Sequence, residues 1–364
     1  MLYNTEYPKS TQQGIYMENG SGGMLSDLTF VGGSFGAYFG NQQFTTSGLV
    51  FSGAKTAVQV HWDWAWTMQD FVIESCESGL VVVGGAGGGD YSTGQGVGSL
   101  MLIDSIIANT PNGIVTSLHA ENSTSFLLQN VGFFNVKTAI TDSSKKTTLL
   151  KGGNEVYVDS WGFGRITDKD GKGTFANGKA IPAMNRTQEL TGSAYDKMKP
   201  NLFTRRRPKY YNVPASKVMN VRKLGAAGDG KTDDTAVLNS ILSGAANTSS
   251  IVYFPFGVYL VKDTIRVPMG SRIIGQAWSQ IMGTGSVFSK ESDPQPVVQV
   301  GRPQDRPGII EIQDMMFTVS GATAGAVLVE WNAKESSKGS VGMWGKYFVS
   351  RCICPDFFFS VSCT

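Results

Sequence analysis

The chain has 364 residues, 45 of them glycine and only 16% charged, which is typical of a turn-rich β protein long enough for two domains. The net charge is +2, and no aromatic stacking platform accompanies its dense basic run, Arg205-Arg206-Arg207-Pro208-Lys209. A solvated linker therefore explains that run better than a nucleic-acid partner does. No apolar run reaches the roughly 20 residues that a membrane helix needs, so no membrane partner is expected.

Neither the first residues of the chain nor its cysteines and histidines indicate a function. Met1 leads directly into polar sequence, so no secretory signal is predicted. Neither the four cysteines nor the two histidines, His61 and His119, have the spacing of a disulfide framework or a zinc site. No metal and no cofactor are expected.

Residues 1–164 predict a solenoid, because five segments can be laid over one another at spacings of 21, 22, 34 and 26 residues. Each segment has an inward-facing pair two residues apart, apolar in all but Ser105, followed by a small residue and a second apolar strand. We interpret the glycine-rich stretch Gly84 to Gly98 as a loop that lengthens one coil, and the sequence before Met24 contains no convincing cap. The inward pairs are Leu28/Phe30, Leu49/Phe51, Phe71/Ile73, Ser105/Ile107 and Val131/Phe133.

Residues 165–215 are polar and contain four prolines, which indicates a linker or strap. A second unit, 216–344, opens with the turn Gly228-Asp229-Gly230-Lys231-Thr232-Asp233-Asp234. A helix from Thr235 to Leu242 follows, with Thr232 or Asp233 as N-cap, so the aspartates are interpreted as turn and cap residues rather than a calcium site. Strands are predicted at 250–254, 258–261, 264–267, 271–275, 309–312, 315–319 and 325–329.

An ordered set of motifs spanning residues 14 to 344 resembles glycoside hydrolase family 55, fungal exo-β-1,3-glucanases with two β-helix domains in one chain. The resemblance implies an all-β fold of two tandem right-handed parallel β-helices, each incomplete here. Besides the opening of the second unit, the motifs are Glu18-Asn19-Gly20-Ser21-Gly22-Gly23, Gly40-Asn41-Gln42-Gln43-Phe44-Thr45-Thr46, His61-Trp62-Asp63-Trp64-Ala65-Trp66, Asp159-Ser160-Trp161-Gly162-Phe163-Gly164 and Glu330-Trp331-Asn332.

The resemblance also implies a function: exo-cleavage of β-1,3-glucan with inversion, in a cleft between the two helices, by a secreted and monomeric enzyme. Inversion needs a carboxylic acid and a positioned water. The positions here that match the family's water-positioning glutamine and serine are Gln129 and Ser160. The family places its acid, a glutamate, on late coils of the second domain.

That acid is expected to be absent from this chain, because only about 134 residues follow Gly230. Glu311 and Glu330 are the best-placed glutamates on early strands, and strand capping or pairing with a cation explains each of them better than acid catalysis does. Residues 345–364 depart from the family pattern and are interpreted as a non-native tail, such as translated intron. We therefore expect this chain alone to be inactive.

Aromatic residues supply the candidate substrate contacts. Trp62, Trp64 and Trp66 alternate, so they form either a glucan platform or an aromatic stack within the solenoid wall. Trp161 and Tyr157 are further candidates for sugar contact, although one hydrogen-bond partner would satisfy a partly buried tyrosine. Asn130 and Asn135 flank a strand and are better explained as turn or ladder residues.

Two other functions stay open. A polyuronide lyase of the same superfamily would need a base and usually calcium or arginine, and no evident cluster of acidic ligands supports it. A non-catalytic glucan-binding module would retain laminarin without degrading it.

Overall fold

A computed structural model describes residues 2–5, 10–82, 96–117, 125–167, 170–345 and 347–349, and the chain divides into two compact units between Thr204 and Arg205. The predictions for His119, for most of the glycine-rich loop and for most of the tail lie outside the described residues. No helix in the described part is long and apolar enough to cross a membrane.

The first unit consists almost entirely of strands. They are β1 (Leu2–Thr5), β2 (Gln13–Tyr16), β3 (Met24–Ser26), β4 (Thr29–Gly32), β5 (Phe35–Ser47), β6 (Val50–Ser52), β7 (Thr56–Gln69), β8 (Val72–Glu74), β9 (Ser78–Val82), β10 (Ser99–Ala108), β11 (Asn112–Thr116), β12 (Ser125–Asp142), β13 (Thr147–Thr167), β14 (Gly173–Ala180), β15 (Thr191–Ala194) and β16 (Pro200–Leu202).

The predicted coils stack in parallel and in the predicted register. Phe30 pairs with Phe51, Phe51 with Ile73, Ile73 with Ile107 and Ile107 with Phe133, and all five side chains are buried. The second apolar strands form a matching stack, Ala37, Val58, Leu80, Ile114 and Ile140. The prediction of a parallel β-helix is confirmed.

Residues with positive φ bound each short strand of this stack. One corner has φ between 52° and 66° at five positions in register, and the other has φ between 48° and 72°. Glycine accepts this left-handed conformation most readily, followed by asparagine and aspartate, so each coil has a polar or glycine residue on either side of its inward pair. The first corner is Asp27, Gly48, Asp70, Asp104 and Asn130, and the second is Gly32, Gly53, Ser75, Asn109 and Asn135.

Strands also occur at the two ends of this stack. Before Met24, β1 and β2 pair in parallel with β4 and β5, which adds strands to the stack where the sequence analysis found no cap. After β12 the pairing changes direction, because β13 is antiparallel to β12 and β14 is antiparallel to β13. Residues 173–180, which the sequence analysis assigns to the linker, are thus strand, and the strap of the structure is 181–204, which includes the short paired strands β15 and β16.

The second unit repeats the parallel arrangement. Its elements are β17 (Val218–Asn220), β18 (Asp229–Asp233), α1 (Thr235–Ala246), β19 (Ile251–Phe254), β20 (Val258–Val261), β21 (Ile265–Val267), β22 (Arg272–Gly283), β23 (Gln295–Val300), β24 (Ile310–Val319), β25 (Ala326–Trp331), β26 (Val341–Trp344) and β27 (Tyr347–Val349). Strands β19, β22, β24 and β26 pair in parallel, as do β21, β23 and β25.

Helix α1 begins at Thr235, as the sequence predicted, and is four residues longer than expected. Its N-cap is Asp234, not Thr232 or Asp233, but the Asp234 carboxylate turns back to accept hydrogen bonds from the amides of Ala227 and Gly228 at 2.7 and 2.9 Å. Asp229 likewise accepts from the amides of Lys231 and Thr232. The aspartates therefore organise the turn, as the sequence analysis favoured.

The basic run is solvent-exposed, as the sequence indicated, but two of its arginines are also bound to the second unit. The Arg205 guanidinium contacts the Glu311 carboxylate at 2.8 Å, and Arg207 donates to Gln313 and pairs with Asp314. Acidic and amide side chains of β24 thus fix this segment to the second unit, which the composition of the run alone could not show.

Candidate functional site

Gln129 and Ser160 are direct cross-strand neighbours on the antiparallel strands β12 and β13. Residues paired in this way project on the same side of the sheet, with Cβ atoms roughly 5 Å apart. Both side chains are enclosed, at 7% and 5% exposure. Neither Gln129 Oε1 nor Ser160 Oγ has a hydrogen-bond partner among the described residues. Two enclosed polar groups thus stand side by side with unused hydrogen-bonding capacity, which is costly unless a ligand or water uses it.

Strand alternation explains why these two residues share a face. Phe126 and Leu128 on β12 are fully buried in the core, and they pair with Phe163 and Trp161 on β13. Gln129 follows Leu128 and Ser160 precedes Trp161, so both point away from that core.

Trp161 is therefore a core residue and not an exposed sugar contact. It is 4% exposed and packs edge-to-face on Phe163, with ring centroids 5.2 Å apart. A ring enclosed in this way has no free face on which a pyranose could stack. Its contribution to the site is to fix the direction of the neighbouring Ser160.

The three alternating tryptophans do not form one platform. Trp62 and Trp66 are buried, and their ring nitrogens donate to the Glu18 carbonyl at 2.6 Å and to Thr46 Oγ1 at 3.2 Å. Trp64 is 52% exposed. The interpretation as wall residues is thus right for Trp62 and Trp66, and Trp64 keeps a ring available for stacking.

Tyr157 is half-buried on the outer face of β13, and the strap supplies its partner. Its hydroxyl donates to Asp196 Oδ2 at 2.6 Å, and this hydrogen bond, with burial and the nearby carboxylates, raises the Tyr157 pKa well above its usual value. Phe134 meets the tyrosine ring edge-to-face. Tyr157 is therefore satisfied within the protein.

A buried polar cluster beside Gln129 was missed by the sequence analysis. Asn130 donates to Asp104 Oδ1 at 2.7 Å, and Arg186 from the strap forms a salt bridge with the same carboxylate. The Asn130 side-chain amide also pairs with both backbone groups of Lys199, at 2.9 and 3.0 Å. The corner pattern, with aspartate or asparagine before the inward pair in four of the five coils, is the signal that could have found it.

Neither candidate glutamate has the surroundings of a general acid. The Glu311 carboxylate is nearly buried and is contacted by Arg205, Arg272 and the Tyr210 hydroxyl. Glu330 accepts hydrogen bonds from Asn332 and Gln299, which lower its pKa. A catalytic acid needs a raised pKa and access to the leaving oxygen, so structural roles explain both residues.

Asp63 is a fully buried carboxyl that the sequence analysis did not single out. Its Oδ1 accepts hydrogen bonds from the amides of Gly98 and Ser99 at 3.0 and 3.1 Å, and its Oδ2 has no partner among the described residues. Burial raises the Asp63 pKa to about 7. No group of three or more histidine, cysteine or acidic side chains in the described ranges could hold a metal ion.

Known proteins are similar in sequence to both units of this chain. The family model described as rhamnogalacturonase A/epimerase, pectate lyase-like, matches residues 1–81 and 218–305, one stretch in each unit. A glucan 1,3-β-glucosidase of Cochliobolus carbonum is 34% identical over 93% of this chain, and a probable glucan endo-1,3-β-glucosidase of Arthroderma benhamiae is 32% identical over 93%. The chain is thus similar to fungal glucan 1,3-β-glucosidases and resembles the pectate-lyase-like superfamily in both units.

The chain spans only part of these relatives: 42% of the Cochliobolus protein and 48% of the Arthroderma protein. A protein of Penicillium expansum named non-secreted LysM effector LysM19 is 60% identical over 95% of this chain, which covers 27% of that protein. Because nearly three quarters of the Penicillium protein lies outside the match, its name need not describe the matched part.

Proposed function

We propose that this chain is part of an enzyme that hydrolyses β-1,3-glucan, and that Gln129 and Ser160 position the attacking water. The observation that carries the proposal is the enclosed cross-strand pair with its two unpartnered oxygens. The names of the Cochliobolus and Arthroderma relatives support the substrate class.

The chemistry of the pair suits an inverting mechanism. A glutamine oxygen accepts a hydrogen bond from water, and a serine hydroxyl can both accept and donate one. Together they would hold one water with a lone pair directed at the anomeric carbon, on the face opposite the leaving group. We further propose exo-type cleavage that releases glucose or short products. This route needs a carboxylic acid and a water, and no cofactor takes part.

We propose that the general acid of this mechanism is none of the three carboxyl groups described above. Glu311 and Glu330 are held by cations or amides, and Asp63 is fully enclosed. We therefore propose that residues 1–364 bind glucan but release little glucose from laminarin. Rapid glucose release by the purified chain would overturn this part of the proposal.

The role of the pair is tested in a relative of full length. We expect substitution of the residues that align with Gln129 and Ser160 in the Cochliobolus glucosidase, by leucine and alanine, to lower kcat about 100-fold or more with little change in KM. The control is the residue aligned with Gln59, a partly exposed glutamine of β7 away from the pair. A kcat within twofold of wild type in both variants would reject the pair, and NMR of the first-formed anomer would test inversion.

A further inference from the structure

A groove of about 460 Å³ in the first unit lies at the second corner of its β-helix, away from Gln129 and Ser160. Volumes of roughly 300 to 1,000 Å³ are usual for ligand sites. Its lining combines asparagine side chains, one lysine and a glycine pair, and it includes Asn109, Asn135, Asn154, Lys137, Gly152 and Gly153.

Strand register places the three asparagines in one row. Asn109 and Asn135 occupy the same corner on successive coils, and Asn135 donates to Asn109 Oδ1 at 2.9 Å. On β13, Asn154 lies between Gly153, which pairs with Val136, and Glu155, which pairs with Phe134, so it is opposite Asn135. Neighbouring strands are about 4.8 Å apart, which sets the spacing of the row.

The row keeps free hydrogen-bonding groups. The Asn109–Asn135 bond uses one hydrogen of Asn135 and one acceptor of Asn109, and no hydrogen bond of the Asn154 amide or the Lys137 ammonium to a described residue is present. All four side chains are exposed. The row therefore offers donors and acceptors side by side, the combination that vicinal hydroxyl groups of a sugar require.

The glycines of β13 add no side chains to the groove and allow β13 to lie close to β12. A Cβ on Gly152 would lie 1.9 Å from the Val136 carbonyl oxygen, so no other residue fits there without a backbone shift. Large apolar side chains are missing from the lining, which disfavours an extended peptide, because such peptides are selected by pockets for alternate side chains.

At the first corner of the same coils, the equivalent groups are already occupied by a polar chain. The Asn130 amide there binds both backbone groups of Lys199, and Asp104 accepts from the amide of Leu202. Corner side chains of this β-helix thus bind an extended polar segment at one edge, while the second corner remains open.

We propose that the asparagine row is a second carbohydrate-binding site, which takes a neutral β-glucan chain through its hydroxyl groups. The choice of β-glucan rests on the proposed function, whereas the site itself rests on the row. Such a site would hold polymer on the protein at a distance from the water-positioning pair.

The test is a titration of the full ¹⁵N-labelled chain with laminaritetraose, followed through the side-chain amide signals of asparagine. We expect the signals of Asn109, Asn135 and Asn154 to shift, and Asn154→Ala to weaken the affinity reported by the remaining two about five- to tenfold. Asn109→Gly should act in the same direction, because glycine accepts the φ of 48° at that corner.

Asn112→Ala is the matched control, since Asn112 is an exposed asparagine of the neighbouring β11 outside the groove lining. The site would be overturned if the side-chain amide signals of the row did not shift on titration, or if Asn154→Ala and Asn112→Ala bound the sugar with equal affinity. It would also be overturned if a glycine- and serine-rich peptide shifted these signals and the sugar did not. Failure of the hydrolysis experiment in the full-length relative would leave these shifts unaffected, so the two proposals fail separately.

Discussion

Individual polar residues in this protein are satisfied mainly by backbone amides, and Asp63 is a buried carboxyl for which that satisfaction is incomplete. One oxygen binds the amides of Gly98 and Ser99, while the other has no partner among the described residues. A buried carboxyl in that position favours its neutral form, and burial raises its pKa from the ordinary value of 3.8 to about 7.

This shift predicts a pH dependence of stability. Between about pH 4 and pH 7 the unfolded chain loses the Asp63 proton while the folded chain keeps it, so the free energy of unfolding falls as the pH rises through this window. Asp63→Asn removes the titration. We expect the variant to gain about 2 to 4 kcal/mol relative to wild type from pH 4 to pH 7, measured by urea unfolding.

The comparison of variant with wild type also removes the contribution of His61, whose pKa is lowered by burial. Glu77→Gln, which removes an exposed carboxyl of the same unit, is the control for the loss of one carboxyl group. A pH-independent difference between Asp63→Asn and wild type would show that Asp63 is ionised when folded.

At the residue scale the sequence singled out Gln129 and Ser160, which the structure places side by side, and it left two interpretations open for the alternating tryptophans. Alternation placed Trp62, Trp64 and Trp66 on one side, yet only Trp64 is exposed. The register of β5 and β7 is constant from Gly40 and Trp62 to Ser47 and Gln69, so the pairing of these two strands does not explain why Trp64 alone of the three is exposed. Alternation predicts which side of a strand a residue is on, but whether that side is covered depends on other segments of the chain.

Among the elements, the strap 181–204 is bound by a buried ion pair in addition to several hydrogen bonds. The Arg186 side chain is 6% exposed, and its partner Asp104 is fully enclosed and also accepts from Asn130 and Leu202. The sequence predicted a strap in this region from its prolines and polar residues. It could not predict what binds the strap, because Arg186 and Asp104 are 82 residues apart.

Replacing Arg186 therefore tests how the strap is held. Arg186→Met keeps most of the side-chain volume but leaves the Asp104 carboxylate buried without its cation, which costs about 3 to 5 kcal/mol. We expect urea unfolding to show this loss and limited proteolysis to cut within 181–204. Arg165→Met, at an exposed arginine of β13, should change stability by less than about 0.5 kcal/mol. Equal stability of the two variants would exclude the ion pair as the anchor.

The antiparallel strands β13 and β14 show a second limit of sequence analysis. Residues 151–155, Lys-Gly-Gly-Asn-Glu, lack the alternation of a half-buried strand, so nothing local indicates that they pair with β12. Their strand conformation results from the unpaired edge that the last coil presents. The parallel coils could be predicted because each repeats an apolar pair, and the strands that cover the last coil do not repeat.

At the scale of the whole molecule, the two units have separate hydrophobic cores. Buried apolar side chains from Phe30 to Phe163 form one cluster, and those from Val221 to Phe317 form the other. Within each cluster the side chains stack along the β-helix, so each coil stabilises mainly the adjacent coils. The second opening turn at residues 228–234 thus marks the start of a second core as well as of a second run of coils.

A reciprocal pair of variants tests the independence of these cores. Ile107 lies in the middle of the first stack and Ile312 in the second, and both are at most 1% exposed. Each substitution to alanine should cost about 2 to 5 kcal/mol, because it leaves a cavity that a stacked coil cannot readily fill. Hydrogen exchange followed by mass spectrometry should show lost amide protection near β8 to β12 for Ile107→Ala, and near β22 to β26 for Ile312→Ala. Loss of protection in both units from either single variant would mean that the cores unfold as one, and the chain would then have to be treated as one cooperative solenoid.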